Sequence, residues 1–231
     1  GYTMVAGSDH ADTFLGGSSG MAVSYGDSDS GVTVDLAAGR VVDGAGVADV
    51  ISGVYSFQGT RYDDVFKMDG VHAGTINGNG GNDTADYSAV ASALNVSLGV
   101  SDDLVNGETS LQNIATLVGG QGDDQFQFTG VRAGLVDGRG GDDMADFSAL
   151  SDGLTFTLQG GVIEAASGVT ETLLNMEVLG GTEGNDLFIA DSASLTSLAL
   201  YGNGGSDTLE LTGTGTLQDD LFASVAGIHT L

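Results

Sequence analysis

One nonapeptide constrains this chain more than any other feature. Gly119-Gly120-Gln121-Gly122-Asp123-Asp124-Gln125-Phe126-Gln127 fits G-G-x-G-x-D-x-U-x at every specified position, U being a large apolar residue. Glycines allow a left-handed backbone and let carbonyl groups crowd together. The aspartate offers a hard oxygen ligand. The phenylalanine, two residues on, points into a core. A single match is weak, but worn copies bring the total to seven.

Four elements repeat in fixed order. D-x-F stands at Asp12/Phe14, Asp64/Phe66, Asp124/Phe126 and Asp186/Phe188, at spacings of 52, 60 and 62. G-x-G-G-x-D follows at Gly78 to Asp83, Gly138 to Asp143 and Gly202 to Asp207, with Tyr87, Phe147 and Leu211 four residues beyond and Tyr25 at the matching point of the first unit. Then come alternating segments over 32–36, 94–98 and 154–158. The last element places apolar residues three apart: Ile51/Val54/Phe57, Leu111/Ile114/Leu117, Leu173/Met176/Leu179 and Val225/Ile228/Leu231. Repetition at this period predicts a stack of similar units, here 1–58, 59–118, 119–180 and 181–231. The chain begins at Gly1 and ends at Leu231, where another turn is due, so a piece of a longer repetitive protein is expected.

Short period-two strands between Gly/Asp/Asn turns predict an all-β chain. The stretches 88–93 and 219–225 are expected as short helical or irregular excursions. Asp64 to Asp83 and Asp124 to Asp143 are 19 residues apart, and Asp186 to Asp207 is 21. A nonapeptide is half a coil, so turns at this spacing lie one above the other in a right-handed parallel β-solenoid of about 11–12 rungs. Phe14, Phe66, Phe126 and Phe188 then fill its interior.

Composition narrows the function. Forty glycines, no proline and no cysteine leave ladder hydrogen bonds and bound ions to hold the fold. The hydrophobic share of 41%, in regular alternation, argues against disorder. A formal charge of −27 repels itself when compact unless cations neutralise it. Nucleic acid and anionic membranes, which need basic patches, are excluded as partners, and no apolar run reaches the roughly 20 residues of a membrane span.

Stacked turns suit calcium, which takes six to eight oxygens and so needs more than one turn. The candidate pairs are Asp64 with Asp83, Asp124 with Asp143, and Asp186 with Asp207, with Asp12 a weaker position. Gly59, Gly78, Gly80, Gly81, Gly119, Gly120, Gly122, Gly138, Gly140, Gly141, Gly181, Gly184, Gly202, Gly204 and Gly205 are expected to shape these turns. Several turns are imperfect: Tyr62 and His10 replace the glycine two residues before Asp64 and Asp12. The competing reading is structural, since turn aspartates commonly accept backbone N–H bonds without any metal. The three histidines look isolated and are expected in surface or core roles.

The nonapeptides, together with YGDSDSGVTVDLAAGRV (25–41) and FQGTRYDDVF (57–66), resemble the hemolysin-type calcium-binding (RTX) repeats of large bacterial proteins, in the degenerate form seen in giant surface proteins and adhesins. The tail LQDDLFASVAGIHTL (217–231) is similar to segments of such proteins. The resemblance covers nearly the whole chain. It implies type I secretion, folding on extracellular calcium, a place outside a Gram-negative cell, and cell-surface polysaccharide or other cells as partners beside the adjacent repeats. The leading expectation is a structural, non-enzymatic module of an adhesin, surface-layer protein or exoprotein. The alternative is an accessory module of a carbohydrate-active enzyme of epimerase or lyase type. Its acid–base work needs basic or tyrosine groups gathered in a groove, whereas Arg40, Arg61, Lys67, Arg132 and Arg139 are scattered. Ice binding needs a longer threonine ladder than Thr155/Thr157 and Thr212/Thr214/Thr216 supply.

Overall fold

The computed structural model describes residues 4–6, 10–17, 20–70, 72–164, 167–213 and 222–231. Parts of the turn around Asp12, of the segment 219–225, of the 217–231 tail and of the last threonine group lie outside these residues. The described chain is all-β with predominantly parallel pairing and little helix, such as the 3-10 turn Ser194–Thr196. No helix among the described residues is long and apolar enough to cross a membrane. Two compact units divide the chain: residues 1–92 with 101–119, and 93–100 with 120–231.

In the first unit the chain passes back and forth between two sheets. Ser56–Gln58 and Gly74–Asn77 lie side by side in one sheet, Val65–Lys67 and Thr84–Asp86 in the other, and each pairing is parallel. A strand thus meets the strand that follows one full circuit later. Period two sends alternate side chains inward. Val23, Phe57, Ile76 and Leu111 line up on one sheet, and Val34, Phe66, Ala85 and Leu117 on the other. All eight are buried. Phe66 faces Ala85 in register, so a large ring sits beside a small side chain and the layer fills without overpacking.

The second unit repeats the plan. Val96, Phe126, Ala145, Leu179 and Leu200 form one inward row; Phe156, Phe188 and Leu209 form another. Phe128 stacks on Phe147 at 4.1 Å between centroids, Phe147 meets Phe156 edge-on at 5.4 Å, and Phe156 stacks on Phe188 at 4.7 Å. The four D-x-F phenylalanines are all at most 5% exposed. Leu211 is only half-buried, although it lies on the same strand face as the buried Leu209. The apolar triplet ending at Leu231 is the one that fails to bury: Leu231 is 76% exposed.

Purely parallel winding is not what the chain does. Thr33–Asp35, Arg40–Val42 and Ala48–Ser52 form an antiparallel meander, as do Thr155–Thr157, Val162–Glu164 and Thr170–Leu174. Asp102–Val105 and Thr109–Gln112 form a hairpin of the same kind. That hairpin turns through residues 106–108, with Asn106 and Gly107 both at positive φ (52° and 71°) and Glu108 N–H donating to Val105 O at 3.0 Å. The segment 88–93 is irregular, without helix.

Candidate functional site: the stacked aspartate turns

The turns expected to stack do stack, and backbone bonds fix them. Gly80 N–H donates to Thr60 O at 3.1 Å, Gly140 N–H to Gly120 O at 3.4 Å, and Gly204 N–H to Thr182 O at 3.2 Å. Left-handed backbone falls on Asn79, Arg139 and Asn203 and on Gly81, Gly141 and Gly205. Of the turn glycines, Gly81, Gly141 and Gly205 take the positive φ expected, whereas Gly78, Gly80, Gly119, Gly120, Gly122, Gly138, Gly140, Gly181, Gly184, Gly202 and Gly204 do not. Space, not dihedral freedom, accounts for several of them. A Cβ on Gly78, Gly138 or Gly202 would collide with the Oδ2 of Asp83, Asp143 or Asp207 and with a backbone carbonyl of the next rung, that of Asn113, Asn175 or Gly227. One on Gly181 would collide with Asp186 Oδ2.

All six paired aspartates are at most 2% exposed. The two members of each pair are joined in one way. Asp83 Oδ1 accepts the Asp64 N–H at 2.8 Å, Asp143 Oδ1 the Asp124 N–H at 2.8 Å, and Asp207 Oδ1 the Asp186 N–H at 2.9 Å. The first member of each pair is occupied by backbone donors. Asp64 accepts the N–H of Val32 (2.7 Å) and Thr60 (2.6 Å), Asp124 those of Leu94 (2.8 Å) and Gly120 (2.7 Å), and Asp186 those of Leu154 (2.8 Å) and Thr182 (2.7 Å). Where the second turn glycine is replaced by threonine, its hydroxyl adds a third donor, Thr60 Oγ1 at 3.1 Å and Thr182 Oγ1 at 2.9 Å. Tyr62 therefore does not open the turn before Asp64.

The second member differs. Asp83 Oδ2, Asp143 Oδ2 and Asp207 Oδ2 are buried and accept no hydrogen bond. Each shares the space beside a turn glycine with a backbone carbonyl oxygen, and only a positive charge or a proton can satisfy it; His229 Nδ1 lies 3.9 Å from the Asp207 oxygen. Burial pushes the Asp83 and Asp143 carboxyls up to about 6 from the usual 3.8. Asp64, Asp124 and Asp186 are also raised by burial, against the pull of their N–H donors. The donor set fits calcium in kind, hard carboxylate and carbonyl oxygen. It fits less well in the form expected, because the first aspartate of each pair is already engaged. Among the described residues no group of three or more His, Cys, Asp or Glu is placed to hold a metal.

Sequence reasoning missed several residues. Asp12 has a partner, Asp49, whose Oδ1 accepts the Asp12 N–H at 2.8 Å; the intervening meander stretches the spacing to 37 residues and hides the pair. Asp49 Oδ2 accepts the Tyr25 hydroxyl at 2.9 Å. Glu177 Oε2 accepts the Asp143 N–H at 2.8 Å. His229 is not isolated: its Nδ1 lies 3.4 Å from the Asp207 N and 3.9 Å from Asp207 Oδ2. Beside the buried ladder runs an exposed one, in which Asp63 accepts the Asn82 N–H, Asp123 the Asp142 N–H and Asn185 the Ser206 N–H. The residue just before each turn aspartate was the available signal. No protein-family model and no curated protein matches this sequence.

Proposed function

We propose that this chain is a non-catalytic structural module of a secreted or cell-surface protein, a right-handed parallel β-solenoid of about 11–12 rungs that takes up calcium at its stacked turns. One observation carries the reading: a buried carboxylate oxygen without a donor, facing a carbonyl oxygen, occurs at three equivalent places, Asp83, Asp143 and Asp207. Repetition of such a costly feature argues for a ligand that compensates it. A net charge of −27 adds a general demand for cations. The extracellular location and the adhesin, surface-layer or exoprotein parent rest on the resemblance of the turns to RTX repeats, as do type I secretion and polysaccharide or cell partners.

Calcium governs order under this reading. Extracellular modules bind at about 0.1–1 mM, so the sites fill outside a cell and empty inside. Each independent site adds about 2.7 kcal/mol at a hundredfold excess over its dissociation constant. The test is far-UV circular dichroism and thermal melting of the whole chain in chelator and in millimolar calcium. Ordered β structure with a higher melting temperature in calcium, poorly reproduced by magnesium, is expected. An unchanged spectrum and melting temperature would show that the turn aspartates are purely structural.

A further inference from the structure

The fourth repeated element places a different residue at one position in each repeat: Tyr55, Ala115, Glu177 and His229. In the three later repeats this residue sits over the second aspartate of a pair. Ala115 N–H and Thr116 N–H both donate to Asp83 O, at 3.0 and 2.9 Å, and Glu177 N–H and Val178 N–H both donate to Asp143 O, at 2.9 Å. The backbone arrangement is the same, but only Glu177 returns a carboxylate to the aspartate beneath it, through the 2.8 Å bond from Asp143 N–H. His229 reaches the corresponding amide of Asp207 with an imidazole.

The two oxygens of Asp143 face different neighbours. Oδ1 is turned to the earlier turn, where it holds the Asp124 N–H. Oδ2 is buried without a partner and shares the space left by the absent Gly138 side chain with the carbonyl oxygen of Asn175. Asn175 is held at a left-handed φ of 51°, and its side-chain amide donates to Asp137 Oδ1 at 2.6 Å. That carbonyl is therefore fixed in place two residues before Glu177. An unpartnered buried carboxylate oxygen and a fixed carbonyl meet beside Gly138, and a second carboxylate reaches the backbone amide of the same aspartate.

We infer that Asp143 Oδ2, the Asn175 carbonyl and Glu177 form a calcium site of their own, on the face of the turn away from Asp124, and that it is the tightest in the chain. The inference rests on the calcium reading given above and moves the ion from between the paired aspartates to the next rung. Two carboxylates meet here, against one at the Asp83 and Asp207 positions. Negative charge count is the main lever on calcium affinity. Oxygen ligands drawn from two rungs form an irregular set, which suits calcium better than the strict octahedron magnesium demands.

Calorimetric titration of the chelator-stripped whole chain with calcium chloride tests this. Wild type is expected to show one step at least tenfold tighter than the others. Glu177→Gln should weaken that step at least tenfold and spare the rest, and Glu164→Gln, on an exposed strand position, should change nothing. If Glu177→Gln does not reach the wild-type far-UV spectrum in calcium, Ala115→Glu decides instead: a second tight step supports the site, and none overturns it. A wild-type chain that binds no calcium would sink the calcium reading as a whole. A wild-type chain that binds, with its tightest step unmoved in folded Glu177→Gln, would sink the Glu177 site alone.

Discussion

Asp49 and Asp83, both in the first unit, do the same backbone job with opposite solutions to the same electrostatic problem. Each is buried, and each accepts the N–H of an aspartate that precedes it in the stack, Asp12 or Asp64. At Asp49 the second oxygen is satisfied from within, by the Tyr25 hydroxyl at 2.9 Å. At Asp83 it has no donor and faces a carbonyl. The phenol stays protonated, its pKa far above the ordinary range because of burial and then the bond to Asp49. A neutral donor can thus close such a turn permanently. Where it is missing, the turn must borrow a proton or a cation from solvent, and the fold becomes responsive to what the solvent holds.

The largest expected effect breaks the part that both turns share. Asp64→Ala strands two backbone donors, Val32 N–H and Thr60 N–H, and also takes the Asp64 acceptor from the Thr60 hydroxyl, which keeps Tyr62 O at 3.2 Å; each buried donor left unpaired costs about 1–3 kcal/mol. A loss of at least about 2 kcal/mol is expected by denaturant unfolding. Asp124→Ala, which strands two, should lose less. Equal losses would mean that the threonine hydroxyl contributes nothing.

Tyr25→Phe sharpens the comparison directly, since it turns Asp49 into a copy of Asp83. About 1–3 kcal/mol should be lost in chelator. Part of this should return in millimolar calcium, because the freed oxygen now has a use for a cation. A loss identical in both conditions would show that an unpartnered oxygen alone does not recruit an ion.

Thr60→Val keeps the side-chain shape and removes the hydroxyl that donates to Asp64 and accepts the Tyr62 N–H at 2.9 Å, with an expected cost of about 1 kcal/mol. The melting temperature of the variant in chelator measures it. No change would place the hydroxyl in the native structure without energetic weight.

The smallest effect is graded with pH. Asp83 and Asp143 have folded-state values near 6, above the ordinary 3.8, so the folded chain binds protons more tightly than the unfolded one. Their contribution is fully present below about pH 4 and is lost as pH rises through about 6. In chelator, the melting temperature should therefore fall between about pH 4 and 6. Relief of general charge repulsion on acidification runs in the same direction. Asp83→Asn and Asp143→Asn should flatten the slope more than the exposed Asp152→Asn does. An unaltered slope in the two buried variants would assign the whole effect to net charge.

Much of this fold is legible in the residues because it obeys local rules. The step from Asp64 to Phe66 is a period-two step, so it names an inward side chain whatever surrounds it. The 19-residue interval from Asp64 to Asp83 is one circuit, so it names a stacked neighbour. The meanders were legible in part: Asn106-Gly107 is a hairpin signal, but the uniform alternation on either side suits parallel and antiparallel pairing equally.

The sequence by itself determined that apolar side chains fill the interior of an all-β stack, and which aspartates of successive turns meet, because both follow from short, regular spacing. Only the tertiary structure decided what each carboxylate oxygen faces. Asp12 meets Asp49 across a 37-residue detour, Asp143 meets Glu177 across 34 residues, and the second oxygen of Asp83 meets no donor. Whether a buried oxygen is satisfied depends on angstrom-scale placement of groups brought together by the winding of the chain, and no local spacing encodes that placement.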